Sequence, residues 1–248
     1  MEYVGPNWPP SNTWRQTDIN TPFPQPPTSY SCYNYKVEPL SCSDPNLAAV
    51  WKLDENSGIV ATDSSLNNND GQLNGGVAWE TADCKYAPCG KFDGSNDYIS
   101  TPALNVGSKF TVDFWMKPLL LHDYGDPLSA GTTDHWLTFV TYANGHMAYG
   151  VGDGTNWGNY IETTPGIFNN NQWYHIAGTY DGTNIELFIN GTSYDTRSSI
   201  GYSINQPFNI GSRPATGYWF NGIVDEPRIW NKALTQGEII SLMNQSCQ

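Results

Sequence analysis

The sequence predicts an all-β chain folded as two packed antiparallel sheets, and three observations carry the prediction. Turn formers abound, with 24 Gly and 17 Pro in 248 residues and Asn in clusters, a composition suited to short strands and many loops. The run KFTVDFWMKP alternates in polarity, with Phe110, Val112, Phe114 and Met116 on one face and Thr111, Asp113 and Trp115 on the other. Asn-Gly at 144–145 and 190–191 and Asp-Gly at 181–182 each divide two strand-like runs. Such pairs accept positive φ and match the twist of flanking strands, so they mark hairpins. Hairpins at such short intervals favour two sheets over one.

Taken in order, residues 1–45 stand apart. GPNWPP and TPFPQPP are proline-rich and without period, so this segment reads as an extended N-terminal arm or linker with no core of its own. Trp8, Trp14, Phe23 and Tyr30 give it surface to lie along the main domain or a neighbouring subunit. Residues 46–248 form the second region and read as strands from about Leu47. Cys84 and Cys89, in DCKYAPCGKF, suit a small disulfide loop, and no second Cys or His pair stands at zinc spacing. For Cys32, Cys42 and Cys247, two pairings are open, Cys32–Cys42 and Cys42–Cys247, each leaving one odd thiol. Five cysteines point to a secreted or cell-surface setting, and NGT and NQS at Asn190 and Asn244 are glycosylation sequons. The opening MEYVGPNWPP carries neither the basic nor the apolar region of a signal peptide, which leaves secretion open. At the other end, ALTQGEIISLMNQ predicts a short closing helix. Thr235 is its N-cap, Glu238 its capping-box partner, and Ile239, Leu242 and Met243 share one face.

The net charge of −13 argues against a nucleic-acid partner, because phosphate contacts need clustered Lys and Arg. It also disfavours strongly anionic glycans unless calcium bridges the contact. No run approaches the ~18 apolar residues of a membrane-spanning helix.

Read together, the segments resemble a known family. LAAVWKLDENSGIVATDSSLNNNDGQLNGGVAW resembles the opening of a laminin-G-like domain of the concanavalin A-like jelly-roll superfamily. GKFDGSNDYIS and FTVDFWMKP are similar to its next strands, QWYHIAGTYDGTNIELFINGTSY to its central hairpin, and FNGIVDEPRIWNKALTQGEI to its closing strand and helix. The likeness runs from about Leu47 to Leu242. It implies a two-sheet jelly roll with a non-catalytic role in binding glycans or proteins outside cells, often with a calcium ion.

The candidate site residues follow from chemistry and from that resemblance. Asp225 and Glu226 are consecutive, and strand neighbours point to opposite faces. They are therefore not expected to form the pair of carboxyls, ~5–9.5 Å apart across a cleft, that cleaves a glycosidic bond. Of His122, His135, His146 and His175, none belongs to an HExxH motif, and no Gly-x-Ser-x-Gly turn is present. His175 is expected to be a structural hydrogen bonder, and no enzyme is expected. TDSSLNNNDGQ supplies oxygen ligands of the kind a hard cation takes. The resemblance implies that Asp63, Asn69 or Asp70, and Asp225 share a calcium ion, although Leu66 stands where relatives carry Gly. The competing reading is an Asx-rich turn with no metal. Asp93-Gly94 reads as a hairpin turn. Loops rich in Asp and Asn carry Tyr124, Trp136, Trp157, Tyr160, Tyr218 and Trp219, whose rings suit the apolar faces of sugars. The expected function is non-catalytic glycan binding or adhesion, possible calcium assistance included. The rival is a structural subunit of an extracellular assembly, self-associating through the N-terminal arm and the odd cysteine.

Overall fold

A computed structural model of the chain describes residues 40–131, 136–199, 203–213 and 217–247, with Trp157 described in its backbone alone. The chain divides into units 1–37 and 38–248, and the described residues belong to the second. The arm expected over 1–45, with Cys32, thus lies almost wholly outside the described residues.

The polarity pattern becomes strands as follows. In chain order they are β1 (Leu47–Val50), β2 (Val60–Ala61), β3 (Gly71–Asn74), β4 (Ala78–Glu80), β5 (Cys89–Asp93) and β6 (Tyr98–Gly107). Then come β7 (Phe110–Pro118), β8 (Gly125–Ala130), β9 (Leu137–Thr141), β10 (Met147–Gly152), β11 (Trp157–Glu162) and β12 (Tyr174–Tyr180). The last are β13 (Asn184–Ile189), β14 (Thr192–Ser198), β15 (Ile204–Ile210), β16 (Ser212–Arg213), β17 (Tyr218–Trp219) and β18 (Asn221–Trp230), followed by helix α1 (Gln236–Met243). One sheet runs β14-β13-β12-β7-β18-β5-β4 with β1 also on β18; the other runs β11-β10-β9-β8-β15-β6-β3-β2, and β16 and β17 form a small ribbon. All the pairings are antiparallel, as the hairpin signals predict.

The alternation of β7 decides what the sheets enclose. Phe110, Val112, Phe114 and Met116 enter the central core with Phe139, Tyr149, Ile176 and Phe208. Phe114 meets Phe139 edge-on at 5.1 Å, and Phe139 stacks on Tyr149 at 4.7 Å. Burial of apolar area of this kind is the dominant stabilising term in a domain this size. On the outer face of the β7 sheet a second cluster forms from Leu47, Val50, Ala177, Phe188 and Trp230 with Ile239 and Leu242 of α1. The helix is capped as predicted: the Thr235 side chain accepts from Glu238 N, and the Glu238 carboxylate accepts from Thr235 N. Cys42 is bonded to Cys247, and Cys84 to Cys89. Of the two pairings left open by the sequence, Cys42–Cys247 therefore forms, and Cys32–Cys42 does not. It pins the start of the described chain to the end of the helix.

The hairpin turns obey local chemistry. Asn190 and Gly191 both take positive φ, 51° and 76°, the geometry of a two-residue turn between β13 and β14. The 144–145 turn is wider than a two-residue loop: Tyr142 N donates to His146 O, and Gly145 sits at φ 75°.

Candidate functional site

The outer face of the second sheet carries a groove whose floor is written in alternate residues. Leu137 and Phe139 of β9 and Met147, Tyr149 and Val151 of β10 point into the core, so Thr138, Val140, Ala148 and Gly150 face outward. These are small, and the larger residues around them stand as walls. Tyr160 and Glu162 flank the buried Ile161 on β11, while Tyr124, Tyr142, Arg213 and Tyr218 close the other side. The enclosed volume is about 290 Å³, the low end of small-molecule sites.

The walls are ordered by ring contacts. Tyr124 stacks on Tyr218 at 4.7 Å and meets Tyr142 edge-on at 5.4 Å. Tyr142 stacks on His146 at 4.0 Å, and the Arg213 guanidinium lies 4.3 Å over the Tyr218 ring. Tyr124 remains 47% exposed and Tyr160 51%, so ring faces stay open to a ligand. Tyr124 also holds φ at 67°, a left-handed conformation that is strained for an aromatic residue and is concentrated at functional sites. Beneath the floor Asp126 is fully buried; its Oδ2 accepts from Thr138 Oγ1 and lies 3.5 Å from Arg213 Nε. Burial pushes this carboxyl up to about 7, against the opposing pull of Arg213 and Thr138.

Three of the six aromatics predicted from sequence, Tyr124, Tyr160 and Tyr218, converge here. Trp136 instead lies against two glycine backbones: a Cβ at Gly131 or Gly154 would fall within 2.4 Å of its ring. Trp219 packs on Tyr98 at 5.8 Å, and the Trp157 side chain is outside the described residues. Sequence reasoning missed Tyr142, Glu162, Arg213 and Asp126, which have no local motif in common.

Asp225 and Glu226 form no part of the groove. The register of β18 on β7 shifts between Asp225 and Arg228, a bulge in which Glu226 takes φ 50°. Pro227, which has no N–H, sits in that bulge where the ladder is already interrupted, and its carbonyl accepts from Trp51 N. The expectation of opposite faces is corrected by this extra residue. Asp225, paired with Trp115, and Arg228, paired with Asp113, share the outer face, and Glu226 turns to Ser246 on the same side. Both carboxyls are nevertheless buried, at 0% and 1% exposure, beyond reach of a substrate. Burial, reinforced by Glu226, pushes Asp225 up to about 8 against the Tyr86 amide; burial likewise raises Glu226 against Arg228. Next to them, Asp113 accepts from Arg228 Nε at 2.8 Å and Trp230 Nε1 at 2.9 Å, and lies 3.2 Å from His175 Nε2. Burial works against the Asp113 charge, but Arg228 and His175 prevail and hold its carboxyl below the usual range. Arg228 also donates to the carbonyls of Leu242 and Gln245, satisfying the open end of α1. His175 thus has the structural role expected of it; His135 lies outside the described residues.

Of the predicted calcium ligands, Asp63, Asn69 and Asp70 lie together in one loop, and Asp225 lies apart from them. Asp63 Oδ1 accepts from the Val50 and Ser65 amides, and Oδ2 from Ser65 Oγ and Asn69 N. Asp70 accepts from Asp63 N, and Asn69 donates its amide to Ala48 O. Asp225 is engaged elsewhere, by Tyr86 N. Lone pairs committed to protein donors make a poor cage for a cation that needs 6–8 oxygens. Among the described residues no three His, Cys, Asp or Glu side chains stand ready to share a metal. Hydrogen bonds of the Asx-turn kind order the 63–70 loop. Asp93 is likewise a turn residue, accepting from Ser95 N beside Gly94 at φ 80°.

Comparison with known proteins gives the following. Residues 93–240, more than half of the chain, match the family model described as the concanavalin A-like lectin/glucanases superfamily. No curated protein matches by sequence. Among solved structures, domain 4 of an extracellular arabinanase from Geobacillus stearothermophilus, solved with arabinotriose, is 20% identical with TM-score 0.62; the match covers 84% of this chain and all of that one. The binding domain of Paraclostridial Mosquitocidal Protein 1 is 20% identical with TM-score 0.63, over 80% of this chain and 52% of that one. The binding domain of Botulinum neurotoxin DC, solved with rat synaptotagmin II, is 14% identical with TM-score 0.62, over 80% and 51%. This chain therefore spans about half the length of the toxin chains it matches. At such identities the likeness shows the shared fold.

Proposed function

We propose, from the premise that this chain belongs to the concanavalin A-like lectin/glucanase superfamily, that it is a non-catalytic binding module which takes a neutral oligosaccharide in the tyrosine groove. One observation carries the reading: Tyr124, Tyr142, Tyr160 and Tyr218 converge around a floor of small side chains, with Glu162 exposed at the rim. Ring faces take the apolar C–H surfaces of sugars, and a carboxylate accepts from their hydroxyls. Binding without chemistry agrees with the burial of Asp225 and Glu226, which leaves the groove without a facing pair of accessible carboxyls among the described residues. The arabinanase domain solved with arabinotriose makes arabino-oligosaccharides the first ligands to try. Two disulfides support a secreted or surface setting, and no described helix is long and apolar enough to cross a membrane.

The test is calorimetric titration with arabinotriose, preceded by a glycan array, each run with calcium and with chelator. Binding is expected, with Tyr218→Ala and Tyr160→Ala each weakening it about tenfold, or about 1.4 kcal/mol. Binding untouched by both substitutions, or no glycan bound in either condition, overturns the reading. A loss confined to the chelator arm assigns a cation a part in it.

A further inference from the structure

The ring wall of the groove does not end at Tyr142. On β10 the inward residues Met147, Tyr149 and Val151 alternate with outward Ala148 and Gly150, and the same alternation puts His146 on the outer face. Across the hairpin Met147 pairs with Thr141 and Ala148 with Val140. His146 therefore stands opposite Tyr142, whose N donates to His146 O at 3.0 Å. The two rings stack at 4.0 Å with their planes 6° apart. Tyr218, Tyr124, Tyr142 and His146 thus form one unbroken row of rings laid across the strands beside the floor. His146 is half-buried, and the binding reading leaves it unused.

The neighbouring turn fixes which nitrogen of this imidazole carries the proton. Asn144 Oδ1 accepts from His146 N at 3.2 Å. A main-chain N–H only donates, so this atom of the Asn144 carboxamide is its oxygen and not its nitrogen. The same oxygen lies within hydrogen-bond reach of His146 Nδ1. A carboxamide oxygen only accepts, so Nδ1 holds the proton. Nε2 of the neutral ring then keeps its lone pair, and it has no partner among the described residues. With Nδ1 turned to the Asn144-Gly145 turn, the opposite edge of the ring faces along β10 towards Ala148 and the floor. Glu162, exposed at the rim, is paired with that same Ala148.

We propose that His146 is a further ligand contact of the groove, that its Nε2 accepts a hydrogen bond from a sugar hydroxyl, and that Asn144 is the positioning residue that sets the tautomer for it. This deepens the glycan-binding reading and rests on it for the ligand, not for the tautomer. Nε2 and the Glu162 carboxylate both offer lone pairs beside Ala148. A ligand at this end of the groove must therefore donate to both, which the hydroxyls of a saccharide do and ether oxygens in their place do not.

The first test needs no ligand. A long-range proton–nitrogen NMR spectrum of the full chain at about pH 8.5, above the ordinary imidazole range, is expected to show His146 with a protonated Nδ1 and a bare Nε2. His146→Gln identifies these signals by their loss. Asn144→Ala is expected to turn the ring towards the opposite tautomer. A proton on Nε2 in the wild type, or an Asn144→Ala spectrum like the wild type's, overturns the proposal. The second test is calorimetric titration with arabinotriose. His146→Phe keeps a flat ring against Tyr142 and lacks the acceptor, and it is expected to bind about fivefold more weakly. Arabinotriose is also expected to shift the Nε2 signal of the wild type and to leave Nδ1 in place. Wild-type affinity in His146→Phe, or an Nε2 signal that ignores bound ligand, overturns the proposal and leaves the glycan reading to stand on the tyrosines. Should His146→Phe fail to fold, the Nε2 signal decides. No arabinotriose binding by the wild type counts against the glycan reading and removes the acceptor role with it, while the tautomer stands as read from the free chain.

Discussion

Two residues show how local cost is set against function and stability. Tyr124 holds a left-handed φ that Gly adopts without strain. Tyr124→Gly is therefore expected to change unfolding free energy by no more than about 1 kcal/mol, because relief of the backbone offsets the lost stacking on Tyr218. The same change should abolish saccharide binding, which urea denaturation and calorimetry on one preparation would show. Asp225 shows the other case. Its carboxyl is raised in the fold, as are those of Asp126 and Glu226, so the folded state holds these protons more tightly than the unfolded chain. That contribution is complete below the unfolded carboxylate range of about 4 and is lost as pH climbs through 7 and 8. The melting temperature is expected to fall between about pH 6 and about pH 9, and to fall less in Asp225→Asn. A melting temperature that rises over this range would contradict the assignment. Burial is the reason in each case, and nothing in the dipeptide Asp225-Glu226 announces it.

The closing elements form one unit of structure. Strand β18 pairs with β5 through Asn221–Val224 and with β1 through Arg228–Trp230, and the bulge at Glu226–Pro227 joins the two halves. The inserted residue turns Arg228 outward, where it neutralises Asp113 and caps α1. Arg228→Met leaves Asp113 as a buried charge without its partner and is expected to cost about 3–5 kcal/mol in chemical denaturation. The helix is short, so its order depends on these ties and on Cys42–Cys247, which joins positions 205 apart. Replacing both cysteines by Ser is expected to cost about 2–5 kcal/mol. Hydrogen exchange over Gln236–Met243 should then rise before exchange in β7 and β12 does; uniform protection would mean that packing alone holds the helix. The capping box of this helix was readable in the sequence because it is a contact between residues three apart. The bulge was not, since it depends on which strands flank β18.

Across the molecule, the proposed saccharide is uncharged although the chain is strongly acidic. With a net charge of −13, affinity for a neutral oligosaccharide should change less than about twofold between low and high salt, and a steep decline would mean that an ionic ligand is being bound. The two-sheet architecture was legible because alternation in β7 and the Asn190-Gly191 turn are local rules, repeated along the chain. Half of the aromatic set was legible for a similar reason: Tyr124, Tyr160 and Tyr218 sit among Asp and Asn in segments that favour exposure. Trp136 sits among the same residue types, yet it is clamped against Gly131 and Gly154, and only the fold distinguishes the two outcomes.

Order along the chain thus determined the alternating strands, the hairpins, the capped helix and the small Cys84–Cys89 loop, all of which depend on residues close in sequence. The groove, the partner of Cys42 and the fate of the acidic residues were decided by tertiary structure. Arg213, Tyr218, Asp126 and Glu162 come from separate strands, and Asp225 takes its hydrogen bond from the amide of Tyr86, 139 positions away. Proximity and burial set the chemistry of such groups, and both are properties of the packed sheets rather than of any stretch of chain.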